Sequence, residues 1–433
     1  MFNEKIEKMT RSELDNLQSV RLVDVVKRVY ENVKYYRNKM DAIKLKPSDI
    51  KSIDDISKLP FTTKQDLRDN YPFGTFAVPH KEIVRVHASS GTTGKQTVVG
   101  YTQRDLDDWS ECAARALSIA GCTDEDIVHV SFGYGLFTGG LGLHYGSEKL
   151  GAMTVPVSTG NTMRQITLLK DFGATTICCT PSYAIFIAEE IEKMGIPISE
   201  FKLKRGVFGA EPWSDSMKER IEKMLNIKAY DIYGLSEISG PGVSICCGDS
   251  FGLHVMEDFF YPEIVDTDTL QPLADNEKGE LCFTTLNKQG MPLIRYRTRD
   301  ISALNHDVCP FCGRGLVRMK RVFGRSDDML IIRGVNVFPS QIETVLLNIP
   351  EVIGSHYKII VDRVGVLDTM EIQVEISEAN ITDEVKSIEK IKSKVEHDMQ
   401  SMLGIGSKIT LLSPNSLPLS EGKTKRVEDR RKI

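Results

Sequence analysis

No stretch of the 433 residues approaches the roughly 20 consecutive apolar residues that a membrane-spanning helix requires. Excess positive charge is also missing: 55 Lys+Arg stand against 60 Asp+Glu, a net charge of −5, so the broad cationic field of non-specific nucleic-acid binding is not expected. The opening residues, MFNEKIEKMTRSELDNLQ, alternate in charge and lack the apolar core of a signal peptide. Nine cysteines, an odd number scattered over a long chain, make a poor disulfide framework and point to a reducing, cytoplasmic setting. Internal repeats and low-complexity tracts are absent as well. At 41% apolar and near-balanced charge, the chain is not a disordered one.

What remains is a folded protein of several domains, about three at roughly 150 residues each, or fewer if one is a large α/β unit. Thr10-Arg11-Ser12-Glu13 reads as a capping box, and Leu22, Val25, Val26, Val29, Tyr30 and Val33 follow at helical spacing. From about residue 126 short β-rich runs alternate with segments of helical period. The runs are 127–132, 153–158, 175–180, 206–210 and 228–234; the helical segments are 163–171, 183–194 and 214–225. That rhythm predicts a mainly parallel sheet covered by helices on both faces, with ligands beyond the carboxyl ends of its strands. Residues 279–304 read as a hairpin-rich β region, and the last hundred or so residues as a small domain with its own strands and helix.

The densest local signal is Ser89-Ser90-Gly91-Thr92-Thr93-Gly94-Lys95, between the β-like runs IVRVHA and TVVGYT. Glycines admit an anion close to the backbone, and hydroxyls and amides together can grip phosphate oxygens. It is not a P-loop, because position 89 is Ser rather than Gly and Gln96 follows the lysine.

SSGTTGK, GAEP (209–212), YGLSE (233–237), YRTRD (296–300), GRSDD (324–328) and EGKTKR (421–426) stand in the order found in adenylate-forming enzymes. The chain resembles that superfamily from end to end. Through YGLFTGGLGLHYG, the WSD after GAEP, EDFFYPEIVD and RGVNVFPSQIE it resembles, within the superfamily, the phenylacetate–CoA ligase family.

The resemblance implies an α/β fold with a large N-terminal domain, 1–324, that adds a β-rich subdomain to mainly parallel sheets. A small mobile α+β domain, 325–433, follows. It implies activation of an aryl acid with ATP and Mg2+ to an acyl-adenylate, then transfer to coenzyme A. Ser90, Gly91, Thr92, Thr93, Gly94 and Lys95 would clamp the β- and γ-phosphates. Gly209, Ala210, Glu211, Pro212, Asp231, Tyr233 and Gly234 would form the adenine pocket, with Ser236 near the α-phosphate. Glu237 would bind magnesium, Asp300 the ribose hydroxyls, and Arg325 the ribose region. Lys423, with Lys425 as the alternative, would bridge the acid's carboxylate and the α-phosphate, and Asp327 would be the hinge between domains. Phe132, Tyr134, Gly135 and Phe137 would line the slot for the aromatic acid, glycine leaving room for a ring. A homodimer is the family's expectation. Two other readings stay open: a relative that uses another acid or acceptor, such as AMP transfer to a deazaflavin, and an inactive zinc-stabilised nucleotide-binding protein.

A second, independent signal is Cys309-Pro310-Phe311-Cys312-Gly313, a C-x-x-C knuckle of the kind whose two thiolates meet one zinc ion. A structural zinc wants four ligands, and Cys246-Cys247 with His254 form the cluster suited to complete it. The expected set is Cys247, His254, Cys309 and Cys312, with Cys246 as the alternative to its neighbour. Plain buried thiols or a redox pair are the competing readings. Cys178 and Cys179 read as core, and His87 and His144 as structural.

Overall fold

The structure is a computed structural model that describes residues 1–89, 96–248, 252–326, 330–332, 335–364, 367–377, 385–417 and 426–431. These fall into two compact units. The first comprises Met1–Thr180, Ile187–Ala210 and Leu225–Val322; the second comprises Pro181–Phe186, Glu211–Met224 and Phe323–Ile433. The changeover at Val322/Phe323 lies two residues before the boundary read from the sequence. The second unit also takes in two short segments that lead out of parallel strands.

The first unit is built on a sheet of nine strands. Its parallel half runs Lys228–Leu235, Arg205–Gly209, Thr176–Cys179, Ile127–Val130 and Met153–Pro156. Each strand lies inside or within one residue of a β-rich run in the sequence. The strands are short and nearly continuous in apolar character because both faces are covered. The other half is antiparallel: Gly240–Cys246 turns back on Lys228–Leu235, and Leu253–Val255, Arg318–Met319 and Leu304–Asn305 follow. The sheet is therefore mixed. Gly240–Cys246 escaped sequence reading because it continues a strand through a tight turn, with no helical spacer to mark it.

Around this sheet pack the helices Gln103–Ile119, Thr138–Leu150 and Thr162–Asp171. Trp109, Ala116, Leu117, Val128, Leu143 and Ile245 join them in one core. A second antiparallel sheet, Phe260–Val265, Gly279–Thr285 and Tyr296–Ser302, is the expected hairpin region. The helix Arg11–Asn32 starts with the predicted capping box, Thr10 N donating to Glu13 Oε2 at 2.9 Å, and buries Leu22, Val25, Val26 and Val29. No helix among the described residues is long and apolar enough to cross a membrane.

In the second unit a four-stranded sheet orders Lys408–Leu412, Leu367–Ile376, Val352–Val364 and Val427–Asp429. The helices Pro339–Leu347 and Val385–Leu403 share its core, which includes Ile342, Leu346, Ile359, Ile372, Val395 and Met399.

Candidate functional site

Arg85–Ala88 and Val98–Tyr101 form an antiparallel hairpin, and Ser89 N donates to Thr97 O at 3.0 Å. This hairpin frames the phosphate-loop candidates. Ser90, Gly91, Thr92, Thr93, Gly94 and Lys95 themselves lie outside the described residues, as do Asp327, Lys423 and Lys425.

The strand Lys228–Leu235 delivers most of the remaining candidates of the first unit. Asp231 is nearly buried, pairs with Arg321 Nε at 3.3 Å, and donates its amide to Cys246 Sγ at 3.0 Å. Tyr233 stacks on Phe283, with ring centroids 6.2 Å apart, and donates its hydroxyl to Asp300 Oδ2 at 2.6 Å. Asp300 comes from Tyr296–Ser302 in the other sheet and has its own amide bonded to Thr298 Oγ1 at 3.0 Å. Two motifs 67 positions apart thus meet in one hydrogen bond. Gly234 must be glycine, since a Cβ there would lie 1.7 Å from Gly240 O.

Gly209 ends its parallel strand, and Ala210 follows with φ of +71°, a left-handed turn that costs a residue with a Cβ about 1–2 kcal/mol. Pro212 completes that GAEP turn. Glu211 belongs to the second unit, where its Oε1 accepts the Ser182 amide at 2.7 Å. Arg325 is half-buried on the short strand Gly324–Arg325, also in the second unit.

Glu237 is 4% exposed, so its carboxylate needs a cation. Lys64 Nζ lies 3.1 Å from Glu237 Oε1. From behind, the buried Lys288 donates to Ile238 O at 2.6 Å and reaches Glu237 O at 3.4 Å. The Lys288 ammonium stands 4.5 Å from the centre of the Tyr101 ring. Burial pulls it down to about 8, while Asp105 and Glu237 act in the opposite sense. Ser236 is held in turn: its carbonyl accepts from Tyr101 OH at 3.3 Å, and its hydroxyl meets Thr138 Oγ1 at 3.1 Å. Lys64, Lys288 and Thr138 were missed in the sequence. The available signals were TTK before a helix, a lone lysine in NKQG, and a threonine opening the helix after the glycine-rich loop.

The acid-slot candidates follow the parallel strand Ile127–Val130. Phe132 is buried, Tyr134 half-buried and Phe137 half exposed. Gly135 turns the chain at φ +90°. Tyr134 OH is 3.3 Å from His144 Nδ1, and His144 Nε2 is 3.1 Å from Glu148. His144 therefore supports the slot rather than lining the core alone. His87, buried, has Nδ1 against Leu136 O at 3.0 Å and ties this loop to the phosphate-loop hairpin.

Cys247, His254, Cys309 and Cys312 converge, all ligand atoms within 4.8 Å of one another. Cys247 Sγ lies 3.8 Å from Cys309 Sγ, and His254 Nε2 lies 3.3 Å from both Cys247 Sγ and Cys312 Sγ. Tetrahedral zinc, with bonds of about 2.3 Å to sulfur and about 2.0 Å to nitrogen, has ligand–ligand edges of about 3.5–3.8 Å. The Cys247 thiol, more than His254 and Arg314, holds Cys312 well below the ordinary thiol range. Cys246, bonded to Asp231, is not in the cluster. Cys178 and Cys179 are buried in the core as expected, and all nine cysteines are free thiols.

The chain matches the family described as AMP-binding enzyme over residues 15–287, and its C-terminal domain over residues 334–431. It is 50% identical over 430 residues to a phenylacetate-coenzyme A ligase of Escherichia coli (strain K12), covering 99% of this chain and 97% of that one. A phenylacetate-coenzyme A ligase of Thermus thermophilus is 48% identical over 446 residues, with 100% of both chains covered. Among solved structures, a 2-hydroxyisobutyryl-CoA ligase in the postadenylation state, in complex with 2-HIB-AMP, superposes with a TM-score of 0.91. It is 30% identical, over 98% of this chain and 91% of that one.

Proposed function

The chain belongs to the AMP-binding enzymes, within the family of the phenylacetate-coenzyme A ligases, and from that premise we propose that it joins an aryl acid to coenzyme A through an acyl-adenylate. The observation that carries the reading to this chain's own residues is the meeting of Tyr233 with Asp300 beside the Ser236–Glu237 turn. It supports a single cradle for adenine, ribose and α-phosphate.

The chemistry has two steps. The acid's carboxylate oxygen attacks the α-phosphorus of ATP and pyrophosphate leaves. The CoA thiol then attacks the acyl carbon, AMP leaves, and the thiol proton passes to solvent. In the first step two anions must approach, so cations carry the catalysis. Lys423 is the bridging ammonium, Ser90, Thr92, Thr93 and Lys95 hold the β- and γ-phosphates, and Asp300 accepts the ribose hydroxyls. Asp231, Gly209–Pro212 and Tyr233 surround the base. Bound magnesium supplies charge neutralisation at the phosphates, and the Glu237 carboxylate, a hard oxygen donor already paired with Lys64, suits it. The slot of Phe132, Tyr134, Gly135 and Phe137 receives the ring. Asp327 is the hinge about which domain 325–433 reorients between steps.

Cys247, His254, Cys309 and Cys312 hold a structural zinc, supported by their distances. It lies among loops of the first unit and takes no part in either step.

Incubation with ATP, Mg2+, CoA and phenylacetate should yield AMP, pyrophosphate and a thioester in equal amounts. Lys423→Ala should abolish adenylation yet leave thioester formation from supplied acyl-adenylate. No turnover across a panel of aryl and short acyl acids would overturn the assignment. AMP transfer without CoA would favour the other acceptor.

A further inference from the structure

Two tethers bound the sequence segment that carries Lys423, and both run to the strand Val352–Val364. Upstream, the amides of Asn415 and Leu417 donate to the two oxygens of Glu375 at 3.1 and 2.7 Å. Glu375 is fully buried and also meets His356 Nδ1 at 3.0 Å. Downstream, Arg426 O accepts the Ile359 amide at 2.7 Å. The Arg426 guanidinium lies 4.3 Å from the centre of the Tyr357 ring and 3.2 Å from Glu343 Oε1. His356 and Tyr357 are consecutive, so adjacent residues of one strand receive the two ends.

The downstream tether is the more specific. Glu343 closes the RGVNVFPSQIE motif on the helix Pro339–Leu347 and is 5% exposed. Burial pushes its carboxyl up to about 7, Arg426 opposes the rise, and Glu211 adds to it. Burial also raises Tyr357, whose hydroxyl donates to Pro339 O at 3.3 Å. A buried ion pair is a weak source of stability compared with packed apolar residues. A guanidinium fixed by a carboxylate on its edge and an aromatic ring on its face is a strong source of orientation. Arg426 is three residues from Lys423.

We propose that Arg426 and Glu343, with Tyr357 beneath them, are positioning residues that set where Lys423 is presented in the adenylating half-reaction. This rests on Lys423 being the adenylating lysine. One ammonium must reach two anions at once, and a displacement of about 1 Å in such an arrangement costs on the order of 100-fold in rate. Thioester formation does not use Lys423, so the tether acts on one half-reaction alone.

The test measures the halves separately on the full-length chain: acid-dependent exchange of pyrophosphate into ATP, and thioester formation from supplied acyl-adenylate and CoA. Glu343→Gln should lower the kcat of exchange by about tenfold or more, with KM for ATP and acid shifted less than about twofold. Its thioester rate should stay within about twofold of wild type. Ionised Glu343 grips Arg426 better, so exchange in the wild type should rise with pH through about 7, and this limb should vanish in Glu343→Gln. Arg426→Lys, which keeps the charge but loses the fork, should retain more exchange than Arg426→Gln. Melting temperatures check that each variant is folded. Equal losses in both halves, exchange at wild-type rate, or an unaltered pH limb in Glu343→Gln would each overturn the proposal. Exchange surviving in Lys423→Ala would instead remove the lysine assignment beneath it.

Discussion

Tyr233 donates its hydroxyl to Asp300 Oδ2 across 2.6 Å, joining the last turn of the parallel half-sheet to the second sheet. Asp300 is 5% exposed, so each partner of its carboxylate matters. Tyr233→Phe keeps the stack on Phe283 and removes one hydrogen bond to a buried charged group, a loss of about 1.5–3 kcal/mol. Mg·ATP affinity, measured by calorimetric titration, should weaken by about 10- to 100-fold. Asp300→Ala should weaken it at least as much. If Tyr233→Phe binds Mg·ATP as the wild type does, the pair has no part in holding the nucleotide.

The thiolate–imidazole cluster gives a second expectation. Carefully purified protein should contain about one equivalent of zinc, and its removal by a chelator should lower the melting temperature, because metal bound only to the folded state adds its binding energy to folding. Cys309→Ser should lose both the metal and that increment. Metal content well below about half an equivalent would end the four-ligand assignment.

How much of this was legible beforehand depended on the kind of signal. The parallel strands were readable because each is a short apolar run separated from the next by a helix, and the helices Thr162–Asp171 and Asp215–Leu225 begin within one residue of their expected starts. Gly240–Cys246 was not, since an antiparallel return through a tight turn has no periodic marker. Cys247 against Cys246 also needed three dimensions: the two are neighbours, and only the alternation of the chain sends one to the metal cluster and the other to the Asp231 amide. Lys64 and Lys288 lie 173 positions before and 51 after Glu237, and nothing local in either sequence announces a partner that far away.

Arg115 and Asp258 make a stability prediction away from the site. Arg115 Nη1 lies 2.9 and 3.0 Å from the two Asp258 oxygens, with side chains 0% and 2% exposed. Removing one partner strands a buried charge. Asp258→Ala should therefore cost about 3–5 kcal/mol in chemical denaturation, and an apolar replacement of both residues should recover most of it. A loss below about 1 kcal/mol for Asp258→Ala would show that water reaches the guanidinium.

The carboxyl of Glu343 predicts a pH dependence of stability, and its sign follows from linkage. Its folded-state value is raised to about 7 from an ordinary 4.5 because burial outweighs the pull of Arg426. Between those values the folded chain holds a proton that the unfolded chain has released, so stability falls as pH rises. The contribution is fully present below about pH 4.5 and gone above about 7, a change on the order of 3 kcal/mol. Glu343→Gln cannot ionise, so subtracting its stability from that of the wild type isolates the effect. The difference, wild type minus variant, should drop across pH 5 to 7 and then level off, as followed by urea denaturation of the second unit's transition. A difference that is flat, or that rises with pH, would mean that Arg426 dominates and that the buried carboxylate is ionised throughout.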